Sequence, residues 1–280
     1  MRARRQFTAI FYRDLKDMKL KDQIAVITGG SMGIGEAIAK LFVAEGAKVV
    51  LCSRDVVRCE EARQRIGHLE QTGSFACDVR DRKSIDDMIA RVLSHFGRID
   101  LWINNAGYGL LDSTEKLDLN AARALFETNV FGAVQCMQAV IPVMKRQGSG
   151  VIANISSGAG YVGVPYMPAY CASKHALNAF SHASRLELKG TGVSVVSVCP
   201  GYVQTAFGEN AVKGSESRRV GGSTRHGISP ERVARAVLKG CLKKSREIAV
   251  PWHYRPLFVL YQLWPGLIEA ALQRAVRPVK

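Results

Sequence analysis

The sequence predicts an α/β protein: one domain built on a doubly wound, parallel seven-stranded sheet. Three observations carry this. Seven short apolar runs alternate with stretches of helical period between residues 20 and 251. A glycine-rich turn joins the first apolar run to the first helical stretch. No repeat, linker or shift of composition interrupts the alternation. Parallel strands buried on both faces read as nearly continuous apolar runs, and crossover helices cover the two faces.

The elements follow in order. IAVIT at 24–28 leads through TGGSMGIG into a helical stretch over 34–45. KVVLCS (48–53) precedes a polar helical stretch near 55–67, and SFACDV (74–79) precedes one near 82–96. DLWIN (100–104) leads to a loop and then helices over about 118–147. GVIANIS (150–156) leads to a helix near 168–189, and VSVVSV (193–198) to a long loop and a helix near 230–244. That helix has a clear start, with Ser229 as N-cap and Pro230 in its first turn. EIAVP (247–251) closes the series, and right-handed crossovers make such a chain doubly wound.

Three segments stand apart: an N-terminal extension (1–19), a loop at 205–228 and a tail at 252–280. The loop carries five glycines and few apolar residues, and a loop this long in a compact domain reads as a lid. Its Phe207 and Val212 are apolar, whereas Arg218 and Arg219 suit an acidic ligand, a membrane or solvent. The tail places Leu257, Tyr261, Trp264, Ile268 and Leu272 at loose helical spacing, with Arg274, Arg277 and Lys280 after them. It reads either as an amphipathic helix in peripheral membrane contact or as packing over a substrate pocket or subunit interface; packing is preferred.

Hydrophobic residues make up 47% of the 280-residue chain and charged residues 22%, which excludes a mostly disordered chain. The net charge of +15 is concentrated towards the ends, since residues 23–212 hold eighteen Lys/Arg against seventeen Asp/Glu. No recognisable nucleic-acid module accompanies it, so nucleic acid is not an expected partner. The seven cysteines include no C-x-x-C pair and read as small buried hydrophobes, with neither a metal site nor a disulfide framework. MRARRQFTAIFYR lacks the apolar core of a secretory signal, although its Arg-rich, acid-free composition leaves mitochondrial targeting open. No apolar run approaches the roughly 20 residues needed to span a bilayer. A cytoplasmic location is expected, with peripheral membrane contact as its variant.

The chemistry begins in the turn Thr28-Gly29-Gly30-Ser31-Met32-Gly33-Ile34-Gly35. A strand before it and a helix after it suit a pyrophosphate, because glycines admit close backbone approach and the helix N-terminus offers N–H donors. Tyr170 and Lys174 are four apart on a later helix and share a face. A tyrosine alone, with a pKa of about 10, is a poor acid or base at neutral pH; a nearby ammonium favours its phenolate.

The glycine spacing is G-x-x-x-G-x-G. With Asn104-Asn105-Ala106-Gly107, Tyr170-Cys171-Ala172-Ser173-Lys174 and Pro200-Gly201, the sequence resembles the short-chain dehydrogenase/reductase family over residues 20–251, in order and without gaps. The resemblance implies a Rossmann-type fold and hydride exchange between a nicotinamide cofactor and a carbonyl or alcohol. It implies Tyr170 as proton donor or acceptor, and Lys174 as its tuning partner and ribose ligand. Ser157, thirteen residues before Tyr170, would polarise the carbonyl; Ser156 is assigned to structure. Asn129 matches the asparagine that bends a central helix and supports a proton relay.

Cofactor contacts are implied at Gly29, Ser31, Met32, Gly33, Ile34 and Gly35 in the turn, and at Asn105, Ala106 and Gly107. Asp78 and Val79 resemble the adenine-contacting pair. After Pro200 and Gly201, Val203 and Thr205 match positions that cradle the carboxamide. The second strand ends in Ser53-Arg54, where NAD enzymes carry an acid for the ribose 2′-OH and an arginine accommodates a 2′-phosphate. NADP(H) is therefore expected over NAD(H). Met32 departs from the pattern, since many NADP-dependent relatives carry a second basic residue there. The expected substrate is a small hydrophobic carbonyl or alcohol that is lipid-, steroid- or retinoid-like, and the expected assembly is a homodimer or homotetramer. The alternatives are an NAD(H)-dependent alcohol dehydrogenase of the same family and a non-catalytic dinucleotide sensor or scaffold.

Overall fold

The computed structural model describes residues 18–275 apart from residue 216 and residues 218–226. Expectations placed on Arg218 and Arg219, and on residues 1–17 and 276–280, lie outside the described residues. The first described residues reach the core. Leu20 is buried and its N–H donates to the Glu45 carbonyl (2.9 Å), which ties the segment before the first strand to the end of the first helix.

The elements run β1 (Ile24–Thr28), α1 (Gly33–Ala44), β2 (Lys48–Ser53), α2 (Val56–Ile66), β3 (Thr72–Ala76), α3 (Arg82–Phe96) and β4 (Leu101–Asn104). A two-residue β5 (Leu110–Leu111), α4 (Leu119–Phe126), a π-helical turn (Glu127–Gly132) and α5 (Ala133–Gln147) follow. Then come β6 (Gly150–Ile155), a short 3₁₀ turn (Gly158–Gly160), α6 (Pro168–Glu187), β7 (Val193–Pro200) and β8 (Val212–Lys213). The chain closes with α7 (Pro230–Lys243), β9 (Glu247–Val250), α8 (Tyr254–Leu263) and α9 (Pro265–Ala275).

Seven strands form one sheet in the order β3-β2-β1-β4-β6-β7-β9, and every pairing is parallel. The order reverses between β1 and β4, so their carboxyl ends diverge into a crevice, the place where open α/β sheets bind ligands. Successive residues of β1 feed opposite layers. Ala25 and Ile27 join the cluster under α1 and α7, whereas Ile24 and Val26 join the cluster with Ile85, Met88 and Val140 of α3 and α5. Burial on both faces is why β1 is apolar up to its terminal Thr28.

Two expectations need correction. β3 runs over Thr72–Ala76 rather than 74–79, because its register with β2 pairs Val49 with Thr72 and Ser53 with Ala76. Cys77 still donates its N–H to the Ser53 carbonyl (2.8 Å) where β3 ends, whereas Val79 is buried beyond it against Gly132, so its apolarity reports burial and not a ladder. The tail is two helices rather than one stripe, broken where Trp264 meets Pro265. Tyr254 and Phe258 carry the inward face, and Trp264 is exposed.

Candidate active site

The glycine-rich turn sits at the carboxyl end of β1. Gly33 has φ +58°, which a side chain would strain. A Cβ on Gly35 would stand 2.4 Å from the Gly29 carbonyl oxygen, so only glycine lets the helix start this close to the turn. Met32 precedes α1 and no side chain caps it. The first N–H groups of that helix therefore point out of the turn for an anionic group. These residues fit the pyrophosphate of a dinucleotide.

The Asn104–Gly107 segment is fastened beside the turn. The Asn105 and Ala106 N–H groups donate to Thr28 Oγ1 (3.0 and 3.1 Å), and Asn105 Nδ2 donates to the Thr28 and Gly29 carbonyls (3.1 and 2.9 Å). Thr205 meets the turn from the other side, with its Cγ2 3.3 Å from where a Gly33 Cβ would stand. Gly29, Gly33, Gly35, Asn105, Ala106 and Thr205 thus converge.

The second strand's candidates lie along the same carboxyl edge, towards β3. Arg54 is exposed there, and its charge helps hold the Asp78 carboxyl below its usual range, although the direct bond from Arg80 is the largest cause. Asp55 caps α2 by accepting from the Arg58 N–H (3.1 Å). Asp78 is held by Arg80 in an ion pair of 2.6 Å. Val79 packs on the π-helical turn, and Val203 bridges to Ile228 and packs on the same core cluster as Ile34.

Ser157, Tyr170 and Lys174 come together at the end of β6. Ser157 caps the 3₁₀ turn by accepting from the Ala159 N–H (3.1 Å). Lys174 Nζ donates to the Ile155 carbonyl (2.9 Å) and lies 5.7 Å from the centre of the Tyr170 ring. Ser156 is buried and its hydroxyl donates to the Lys174 carbonyl (3.3 Å), a structural link as expected. Asn129 is buried in the π-helical turn that interrupts the long helical stretch. Its Oδ1 accepts from the Tyr108 N–H (3.0 Å), and its Nδ2 donates to the Tyr108 carbonyl (2.9 Å) and to Ser173 Oγ (3.3 Å).

Electrostatics depart from the sequence expectation at one point. Burial, not the ammonium, governs Tyr170: desolvation of the phenolate pushes its pKa up to about 12, with the Ser157 hydroxyl pulling the other way. Burial likewise pushes the Lys174 ammonium down to about 8. Tyr170 is therefore held as a neutral proton donor beside a lysine that titrates near neutrality.

Supporting residues, most of them outside the motifs, hold this geometry. The Asn104 Nδ2 donates to Asn154 Oδ1 (2.8 Å), and Asn154 Nδ2 donates to Ser181 Oγ on α6 (2.8 Å). Asn178 Nδ2 donates to the Gly160 carbonyl (3.1 Å) and its Oδ1 accepts from Ser197 Oγ (3.0 Å). Asn178 lies four residues beyond Lys174 and eight beyond Tyr170 on the same helix face, and that periodicity is the signal that could have found it.

The start of the 205–228 loop lies over the site. Phe207 lies on Tyr170 with ring centres 5.4 Å apart, and Val164 and Met167 pack with it on the buried Ala159 and Cys171. β8 in this loop pairs with β5, placing Leu110 opposite Val212. All seven cysteines are free and buried.

What the fold and site define together is a class: oxidoreductases that bind a dinucleotide at the switch point of a parallel sheet. The chain belongs to the short-chain dehydrogenase/reductase family, since residues 23–216 match the family model described as short chain dehydrogenase. It is 34% identical over 259 residues to dehydrogenase/reductase SDR family member 7B of Danio rerio, covering 89% of this chain and 84% of that protein. It is 32% identical over 239 residues to dehydrogenase/reductase SDR family protein 7-like of Drosophila melanogaster, covering 83% and 73%. Among solved structures, a short-chain dehydrogenase/reductase from Burkholderia phymatum in complex with NAD superposes with TM-score 0.81. It covers 94% of this chain and 99% of its own; at 23% identity it shows the fold alone. A short-chain dehydrogenase from Streptomyces avermitilis gives TM-score 0.75 at 27% identity, covering 89% and 98%.

Proposed function

We propose that this oxidoreductase uses NADP(H) to interconvert a carbonyl and a secondary alcohol on a small hydrophobic, lipid-, steroid- or retinoid-like substrate. The observation that carries the reading is the buried Tyr170 hydroxyl group's setting: Ser157 and Lys174 beside it, and an apolar wall of Phe207, Val164 and Met167 around it.

In the reductive direction Ser157 donates a hydrogen bond to the carbonyl oxygen and fixes its position. A nicotinamide dinucleotide held at the Gly29–Gly35 turn would supply the hydride for the carbonyl carbon. Tyr170 gives its proton to the oxygen, and a pKa raised to about 12 keeps that proton available across the physiological range. Lys174, near 8, can return a proton towards Tyr170. Asn129 supports the relay by keeping the Tyr108 backbone and Ser173 in place. The chain of buried amides from Asn104 to Ser181 keeps α6, and so Tyr170, fixed against the sheet.

NADP(H) is favoured because Arg54 stands exposed at the end of β2, while the nearest acid, Asp55, is committed to the α2 cap. Leu119, Phe131, Phe180 and Leu186 are exposed on α4, the π-helical turn and α6, which supports self-association through those helices. The test is a series of ketones and aldehydes of rising lipophilicity, followed by NADPH and NADH absorbance. The reading expects NADPH-dependent turnover that rises with lipophilicity. Turnover confined to polar substrates, or to NADH, would overturn it.

A further inference from the structure

Helix α8 is apolar on two opposite faces, and only one of them is used inside the protein. Inward, Tyr254 packs so tightly on Gly201 that a Cβ there would stand 2.3 Å from its ring. Phe258 stacks on Tyr161 with ring centres 4.7 Å apart, and its ring edge lies 3.4 Å from where a Gly158 Cβ would be. The helix is thus anchored on the two segments that follow Ser157 and Pro200.

Outward, Val259 and Leu263 lie one turn apart and are 53% and 61% exposed. Trp252 just before the helix is 76% exposed and Trp264 just after it is 63% exposed. Scattered single apolar residues are normal on a surface, but four large ones along a ten-residue helix and its two ends are a patch.

We propose that this outer face docks on an anionic lipid bilayer, with α8 lying in the plane of the interface. Two features select lipid. Tryptophans at both ends of an apolar strip suit the headgroup level, where an amphipathic ring keeps its N–H wet and its body buried. Arg255 in the first turn of α8 is exposed, and the sequence from 251 to 280 carries four Lys/Arg against one Asp/Glu, a net charge that attracts anionic headgroups. Self-association has its own exposed apolar surface on α4 and α6. No helix among the described residues is long and apolar enough to cross a membrane, so the contact is with the surface. Because the inward face of α8 grips the segments beside Ser157 and Gly201, docking sets the catalytic end of the sheet next to the lipid. The lipid contact itself is independent of the cofactor and substrate proposed above.

The full chain should co-sediment with phosphatidylcholine vesicles that contain phosphatidylserine, far less with phosphatidylcholine alone, and less as salt rises. Trp102 is buried, so the blue shift of tryptophan emission on such vesicles reports Trp252 and Trp264. The combined variant Trp252→Ser, Leu263→Gln, Trp264→Ser should lose about tenfold or more in vesicle affinity by co-sedimentation, while keeping its thermal midpoint and NADPH binding. Vesicle binding retained in that variant, or no binding by the wild type, overturns the proposal. So does a wild-type oligomer in light scattering that the variant dissociates, which would assign the face to a second copy.

Discussion

Replacing Lys174 with methionine should stabilise the protein at neutral pH. The folded chain buries this ammonium and pushes its pKa from 10.5 down to about 8. A difference of about 2.5 units at ~1.36 kcal/mol each amounts to about 3 kcal/mol of destabilisation by the charged form. Below pH 8 both folded and unfolded chains hold the proton and the full cost applies. Between about 8 and 10.5 the unfolded chain binds more protons than the folded one, so wild-type stability rises with pH. Methionine is close in shape but leaves the Ile155 carbonyl without its 2.9 Å partner, which costs about 1 kcal/mol. The net gain near pH 7 is therefore about 2 kcal/mol; it should vanish near pH 10 and turn into a deficit of up to about 1 kcal/mol above that. Urea unfolding of both proteins across this range measures the difference directly, because the other alkaline titrations cancel. A variant less stable than wild type near pH 7, with the same pH slope, would refute the reasoning.

Other perturbations follow from single contacts. Arg54→Ala should weaken NADPH binding about 10- to 100-fold, as expected for one charge-assisted bond, and leave NADH binding unchanged; fluorescence titration with each nucleotide checks it. Gly35→Ala places a Cβ 2.4 Å from the Gly29 carbonyl, and should abolish dinucleotide binding or folding, read by the same titration and by thermal unfolding. Asn178→Leu strands the Gly160 carbonyl and the Ser197 hydroxyl and should cost about 2 kcal/mol of stability. It should also lower kcat more than it changes cofactor affinity, since it holds the turn that starts at Ser157.

The sheet was legible where burial leaves no choice. IAVIT and KVVLCS are buried from both sides and match β1 and β2 residue for residue. Legibility failed where apolarity and hydrogen bonding part company. Val79 is buried beyond the end of β3, and β5 and β8 are two-residue pairings set by the path of the 205–228 loop across Gly109. The tail's loose apolar spacing concealed a helix with two apolar faces, because periodicity reports which residues want burial and not which find it. At the site, the glycine turn, Ser157, Tyr170 and Lys174 stand out through motif spacing. The proximity of Phe207 to Tyr170 and the clamp by Asn178 needed the folded chain, since both join residues across separate elements.

The most direct test of the proposed chemistry is turnover of a lipophilic ketone by wild type and Tyr170→Phe, with NADPH binding titrated in parallel. The account predicts that both proteins bind NADPH and only the wild type converts the ketone to the alcohol. Equal turnover by Tyr170→Phe, or a wild-type chain that binds NADPH yet leaves every carbonyl untouched, would contradict it.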